Sequence, residues 1–166
     1  MGDDAHWMGF ALEEAERAFA EGEVPVGAVV VRRNGVVGRG HNRTEKSGYP
    51  FEHAEVLAMR EAVGETGRRS LDDCVLYSTV EPCVMCVGAA LLARIPRIVF
   101  GAREPNTGAC ESVLSVPNDP ALGRAIVVTG GVGEERSREL MQAFFRLRRS
   151  EGSGNGSERS DGAERW

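Results

Sequence analysis

The chain has 166 residues and a formal net charge of −5, with 42% hydrophobic and 27% charged residues. These values suit one soluble globular domain with a substantial core. They exclude a globally basic nucleic-acid module, whose charge would have the opposite sign. Trp7, Phe10, Ala11, Ala15, Ala18 and Phe19 recur at three and four residues, which predicts an amphipathic helix over 4–20 ended by Gly22. His6, ahead of the stripe, reads as a surface residue. Residues 24–31 read as a buried strand, Asn34-Gly35 as a hairpin turn and 36–40 as the returning strand. His41-Asn42-Arg43 then enters a polar loop running to Phe51. A helix is expected over 53–63 with Gly64 as its C-cap, and a strand over 74–80. The helix over 83–93 is almost wholly apolar and should be buried; Pro96 ends it before a strand at 97–101. Residues 102–124 hold Pro105, Pro117 and Pro120 and read as irregular, long enough for a parallel crossover to a strand at 125–129. Gly130-Gly131 turns the chain into a last helix over 134–148, with Leu140, Met141, Phe144, Phe145 and Leu147 inside. Folded structure is expected over 1–149, and a disordered Gly-, Ser- and charge-rich tail over 150–166.

This order of elements implies an α/β fold: a single mixed five-stranded sheet with helices on both faces. No apolar run is long enough to span a bilayer and no secretory pattern is visible, so a cytoplasmic protein without a membrane partner is expected. Four cysteines, two of them claimed by the metal motif Cys83-Val84-Met85-Cys86, make no disulfide framework; Cys74 reads as a core residue and Cys110 as a loop thiol of unknown role. The tail carries −2 of the charge, from Glu151, Glu158, Asp161 and Glu164 against Arg159 and Arg165, leaving −3 for the rest. Nineteen of the twenty basic residues are Arg, with Lys46 the one Lys. Arg suits phosphate contact and base stacking, though such usage also arises from compositional drift.

The chemistry concentrates in His53-Ala54-Glu55 and Pro82-Cys83-Val84-Met85-Cys86. Cys83 and Cys86, on the first turn of a helix started by Pro82, would turn both sulfurs to one side. A helix start also lowers a thiol pKa. One imidazole and two thiolates leave the fourth position of a tetrahedral zinc open to water, as in catalytic sites. Glu55, two residues from His53, would reach that water and carry protons while staying outside the ligand set. The competing reading is a closed structural zinc site with Cys74, Cys110 or His41 as fourth ligand.

This pattern is the signature of zinc nucleobase deaminases, and the chain resembles the cytidine-deaminase-like fold. Within it the chain is most similar to the bacterial tRNA-specific adenosine deaminases, from about Trp7 to Arg149. The matching stretches are Glu23 to Val29, His53-Ala54-Glu55, Glu81 to Cys86, Phe100 to Arg103, Thr107 to Ala109 and Phe144 to Arg149. The resemblance implies zinc on His53, Cys83 and Cys86, and Glu55 as the proton shuttle. It also implies Asn42 on the base edge, where an amide both donates and accepts, or else as a loop cap. Val26, Phe51, Ala54 and Pro82 would line the base site, with backbone N–H groups near Ala54 and Cys86 supporting the developing charge. Tyr49-Pro50-Phe51-Glu52 stands where the family usually shows Asp-Pro-Thr-Ala, so a changed pocket wall is expected. Glu104 and Asn106 replace an Asp and a Lys, and residues 110–120 match poorly. Gly40-His41-Asn42 and Ile95-Pro96-Arg97 also resemble fungal-type cytosine deaminases.

The implied reaction is hydrolytic deamination of a base amino group. Adenosine to inosine in a tRNA anticodon loop is the first reading. A metabolic deaminase of a free base or nucleoside, such as cytosine or guanine, is the second, and an inactive zinc-bound scaffold the third. RNA contacts are expected from Arg43, Lys46, Arg103, Arg146, Arg148 and Arg149; the terminal arginines read equally as a solvated helix end. The apolar 83–93 helix implies a homodimer with Val84, Val87, Leu91 or nearby residues at the contact.

Overall fold

A computed structural model describes residues 3–152. Helix α1 (Asp4–Ala20) is followed by strands β1 (Gly27–Arg32) and β2 (Gly35–His41), then by a one-turn helix α2 (Thr44–Ser47) and helix α3 (Ala54–Thr66). Strand β3 (Cys74–Val80), helix α4 (Val84–Leu92), strands β4 (Arg97–Ala102) and β5 (Val127–Thr129), and helix α5 (Glu134–Gly152) complete it. The five strands form one sheet in the order β2-β1-β3-β4-β5. β1 pairs antiparallel with β2 and β3, whereas β4 runs parallel to β3 and β5 parallel to β4. The expected mixed five-stranded sheet is therefore present, including the parallel crossover into β5.

Alternation along the strands divides the core in two. Ala28, Val30, Leu76, Ile98 and Phe100 pack with Ala54, Ala58 and Val87 of α3 and α4 on one face. Val29, Val31, Tyr77 and Val99 pack with Trp7, Met8 and Ala11 of α1 on the other, where α5 also lies. The approach of α1 is close enough to require glycine at position 27: a Cβ there would lie 2.1 Å from the Ala11 carbonyl oxygen and 2.3 Å from the Ala15 nitrogen.

Several boundaries differ from expectation. β1 begins at Gly27 rather than at 24, because Val24-Pro25-Val26 is a loop in which the Val26 amide bonds the Val24 carbonyl. The hairpin turn is Arg33-Asn34, with Arg33 at φ 56°, and Gly35 already pairs with Arg32. α3 runs through Gly64 and ends at Gly67, which takes the left-handed conformation of a helix stop at φ 63°. β5 starts at Val127, and α2 was not foreseen. The segment after β4 contains 3-10 turns at Val116–Asn118 and Pro120–Leu122. α5 continues to Gly152, so the first residues of the expected tail are helical; 153–166 lie outside the described residues. No described helix is long and apolar enough to cross a membrane.

Candidate active site

His53 and Cys83 are both N-caps with extended backbones, at ψ 150° and 174°, so each projects its side chain from the mouth of a helix. Cys83 was expected on the first turn of α4, but the helix starts one residue later, and Pro82 stands before the cap. Cys86, one turn along α4, brings its sulfur to 3.7 Å from that of Cys83. His53 Nδ1 lies 3.6 Å from each sulfur. A tetrahedral zinc with ordinary bond lengths would have edges of ~3.8 Å between sulfurs and ~3.6 Å between nitrogen and sulfur. The donor set therefore fits zinc in chemistry and in spacing. It is the one such cluster among the described residues, and the fourth ligand of a closed site is not supplied. His41 is held between Glu14 (3.1 Å) and Glu21 (3.3 Å). Cys74 begins β3 while the site follows its end, and Cys110 is buried outside the cluster. The site follows the end of β3, which delivers Cys83 and is the central strand of the sheet.

The Cys86 thiol and then the His53 ring hold Cys83 down to about 4, the condition of a metal-binding thiolate. The Cys83 sulfur in turn raises His53. Glu55, 4% exposed on the first turn of α3, has its carboxyl pushed up by burial. The Ser78 hydroxyl lies 3.0 Å from Glu55 Oε1 and 2.8 Å from the Val80 carbonyl oxygen. Glu55 Oε2 points toward the metal donors, 3.5 Å from Cys86 Sγ. Sequence reasoning missed Ser78, although a signal was there: it shares strand parity with core-facing Leu76.

Beside the donors is a cavity of about 230 Å³, lined by Val24, Val26, Asn42, Ala54, Glu104 and Thr107 among others. That is smaller than the ~300–1,000 Å³ of drug-sized pockets and suits one planar ring system. Val26, Asn42 and Ala54 thus line it as expected. Asn42 Nδ2 donates to Thr44 Oγ1 (3.2 Å) and reaches the buried Glu23 carboxylate (3.5 Å), so it serves the loop as well as facing the cavity. Two expected wall residues do not line it. Pro82 is turned into the fold, its carbonyl accepting from the Ala109 amide at 2.9 Å. Phe51 is 60% exposed, because a tight turn carries it outward before His53. Sequence reasoning also missed Val24, Thr44, Val80 and Glu81 in the lining, all of them near recognised motifs.

Apart from His53 no basic side chain lines the cavity; the cations stand outside it. Arg43 is exposed at the N-cap of α2. Lys46 pairs with Glu21 at 3.5 Å. Arg103 pairs with Glu111, its guanidinium 6.0 Å from the Phe100 ring centroid. Arg146, Arg148 and Arg149 lie on the exposed end of α5, where Arg148 donates to the Gly22 carbonyl at 2.9 Å and covers Phe144.

Residues 1–102 match the family model for the cytidine and deoxycytidylate deaminase zinc-binding region. A tRNA-specific adenosine deaminase of Streptococcus pyogenes serotype M18 is 38% identical over 144 residues, 87% of this chain and 91% of that protein. Its counterpart in Bacillus subtilis (strain 168) is 37% identical over 146 residues, 88% and 91% of the two chains. A structure from a study of A-to-I editing by tRNA:A34 deaminases at the wobble position of transfer RNA superposes with a TM-score of 0.78 at 39% identity, covering 81% of this chain and 98% of that one. The guanine deaminase from Nitrosomonas europaea superposes at 0.73 with 26% identity, over 87% and 85%. The chain belongs to the cytidine and deoxycytidylate deaminase family, as a zinc-dependent deaminase whose metal donors are His53, Cys83 and Cys86.

Proposed function

We propose that the protein converts adenosine to inosine in the anticodon loop of tRNA. The observation that carries this reading is the division of charge at the site: a cavity sized for one base has no Arg or Lys in its lining, while Arg43 and Arg103 follow and precede the lining residues Asn42 and Glu104 without lining it themselves. An uncharged base enters such a cavity and the phosphates attached to it stay out, as for a base turned out of a polynucleotide. Relatives at 38% identity over 87% of the chain, named tRNA-specific adenosine deaminases, support the same substrate.

Bound zinc would supply an acidified water and a positive charge beside the reacting carbon. Glu55 takes a proton from the attacking water and delivers it to the ring nitrogen next to that carbon. It then takes the second proton, from the hydroxyl left on the carbon, and passes it to the amine, which departs as ammonia as the C–N bond breaks and the carbonyl forms. Its burial keeps this traffic away from bulk water, and Ser78 holds one carboxylate oxygen so that the other faces the donors. Asn42 offers its amide to the base edge, while Val26 and Ala54 enclose the ring. The backbone near Ala54, at the N-terminus of α3, adds a favourable dipole for developing negative charge.

A metabolic deaminase of a free base is the second reading, favoured by the likeness to the Nitrosomonas guanine deaminase. One experiment separates them: inosine content of tRNA after incubation, beside ammonia release from cytosine, guanine and adenosine. Inosine in tRNA with little release from free bases is expected; ready deamination of a free base with no inosine overturns the proposal. A cytoplasmic location follows from a tRNA substrate. A homodimer through the exposed side of α4 is also proposed, since Val84 and Leu92 there are 56% and 87% exposed.

A further inference from the structure

The segment Tyr49 to Glu52 leads directly into His53. Tyr49 and Phe51 are each 60% exposed, and they are the two aromatic residues among the exposed large hydrophobic side chains described. Neither has a ring contact among the described residues. Their backbone is nevertheless tied down. The Glu52 amide donates to the Tyr49 carbonyl at 3.3 Å, closing a turn with Pro50 in the position proline favours. The Tyr49 amide donates to Ser47 Oγ at 3.1 Å, and the Arg43 amide to the Glu52 carbonyl at 3.1 Å. The last bond fixes the turn against Arg43, the neighbour of cavity-lining Asn42; at its other end the turn leads within two residues to His53.

Large apolar side chains held in water on a fixed turn mark a contact surface. The turn's anchorage between the cavity-lining residues Asn42 and His53 and the nearby charge indicate what is contacted. Arg43 is exposed and makes no ion pair among the described residues, and Lys46 projects from the same short stretch. Aromatic rings beside cations at the mouth of a base-sized cavity are the means by which proteins hold unpaired nucleotides: rings take the bases and cations the phosphates. We propose that Tyr49 and Phe51 form a stacking platform for the unpaired nucleotides that flank the target base in an RNA loop. The inference rests on the RNA-editing reading and adds to it a subsite outside the catalytic cavity.

Steady-state editing of an anticodon stem-loop RNA tests it, with Tyr49→Ala, Phe51→Ala, the double variant, and the replacements Phe51→Tyr and Phe51→Leu. Loss of stacking on one base costs about tenfold. Each alanine variant should raise KM for the stem-loop about tenfold with kcat within about twofold. Phe51→Tyr should restore the wild-type KM, and Phe51→Leu, which keeps bulk without the ring face, should not. Sedimentation of the double variant should match wild type. An unchanged KM in the double variant overturns the platform while wild-type editing still stands. Full rescue by leucine overturns stacking as its mechanism. A changed oligomeric state places the two rings against a second copy of the chain and also overturns it. If the wild-type protein edits no RNA, the proposed function fails first and this inference falls with it.

Discussion

Glu55 has a demanding position: it has to bind and release protons while buried at 4% exposure. Burial favours its neutral form, and the Ser78 hydroxyl offers one hydrogen bond in compensation. Glu55→Gln keeps size and hydrogen bonding but removes proton transfer. It should retain zinc and the melting temperature and lose a factor of about 10²–10⁴ in turnover; near-normal turnover would assign the proton transfer to another group. Cys83 is the opposite case, since its thiolate has value mainly to a cation. Cys83→Ala should lose zinc, read by metal analysis, and lower the melting temperature with it, because metal binding is linked to folding. The three donors and Glu55 were legible in sequence because short spacing groups His53 with Glu55 and Cys83 with Cys86, and the known deaminase signature joins the two groups. Phe51 and Pro82 were misjudged because adjacency in sequence does not set side-chain direction in a turn. Ser78 lay outside the motifs; strand parity with Leu76 put it on the core face, but its partner Glu55 became visible only in the fold.

The strands and the long helices were legible from periodicity, whereas their ends depended on tertiary contacts. α3 passes Gly64 into a turn in which the Thr66 hydroxyl donates to the Ala62 carbonyl at 2.7 Å, and the stop falls at Gly67, which takes the left-handed conformation. The segment after β4 had no periodicity to read, yet it is ordered by one buried side chain. Glu81, 2% exposed, accepts from the amides of Glu104 (3.1 Å), Cys110 (3.1 Å), Glu111 (2.7 Å) and Ser112 (2.9 Å), and from the Ser112 hydroxyl. Gly108 makes room for it, since a Cβ there would lie 2.6 Å from the Glu81 carboxyl carbon. This element carries Glu104 and Thr107 to the cavity. Burial alone would raise the Glu81 carboxyl, but the Ser112 hydroxyl and the surrounding amides outweigh it and hold it below the usual glutamate value. A depressed carboxylate stabilises the fold above its unfolded pKa, ~4.3, and that stability is lost as pH falls through the lowered folded value. Glu81→Gln should therefore cost about 2 kcal/mol at pH 7 in urea unfolding. Its gap from wild type should narrow as pH drops below ~4; a gap constant with pH would mean that the charge is not what orders this segment.

The whole molecule leaves one side of α4 unfinished. Val87 was expected at a dimer contact but is fully buried against α3 and the sheet, and Leu91 is partly covered by the same core. The helix is apolar all round, and its inner side uses Cys86, Val87 and Ala90. Val84 and Leu92 remain outside, and the segment packed on α4 adds Val113 and Leu114 at 51% and 49% exposure. Exposed apolar side chains on α4 of a chain of net charge −5 suit a second copy of the same face, since a two-fold contact places apolar on apolar without bringing a new charge. Closure by a dimer would also stiffen α4, which holds Cys83 and Cys86 at its start, so assembly and metal retention should be coupled. Val84→Asp combined with Leu92→Asp places two carboxylates at each copy's contact, and their desolvation and mutual repulsion oppose pairing. Wild type should sediment as a dimer at micromolar concentration and the double variant as a folded monomer, with circular dichroism unchanged and zinc lost at lower chelator concentration. A wild-type monomer under these conditions would refute the dimer. A double variant that still pairs would move the contact away from α4.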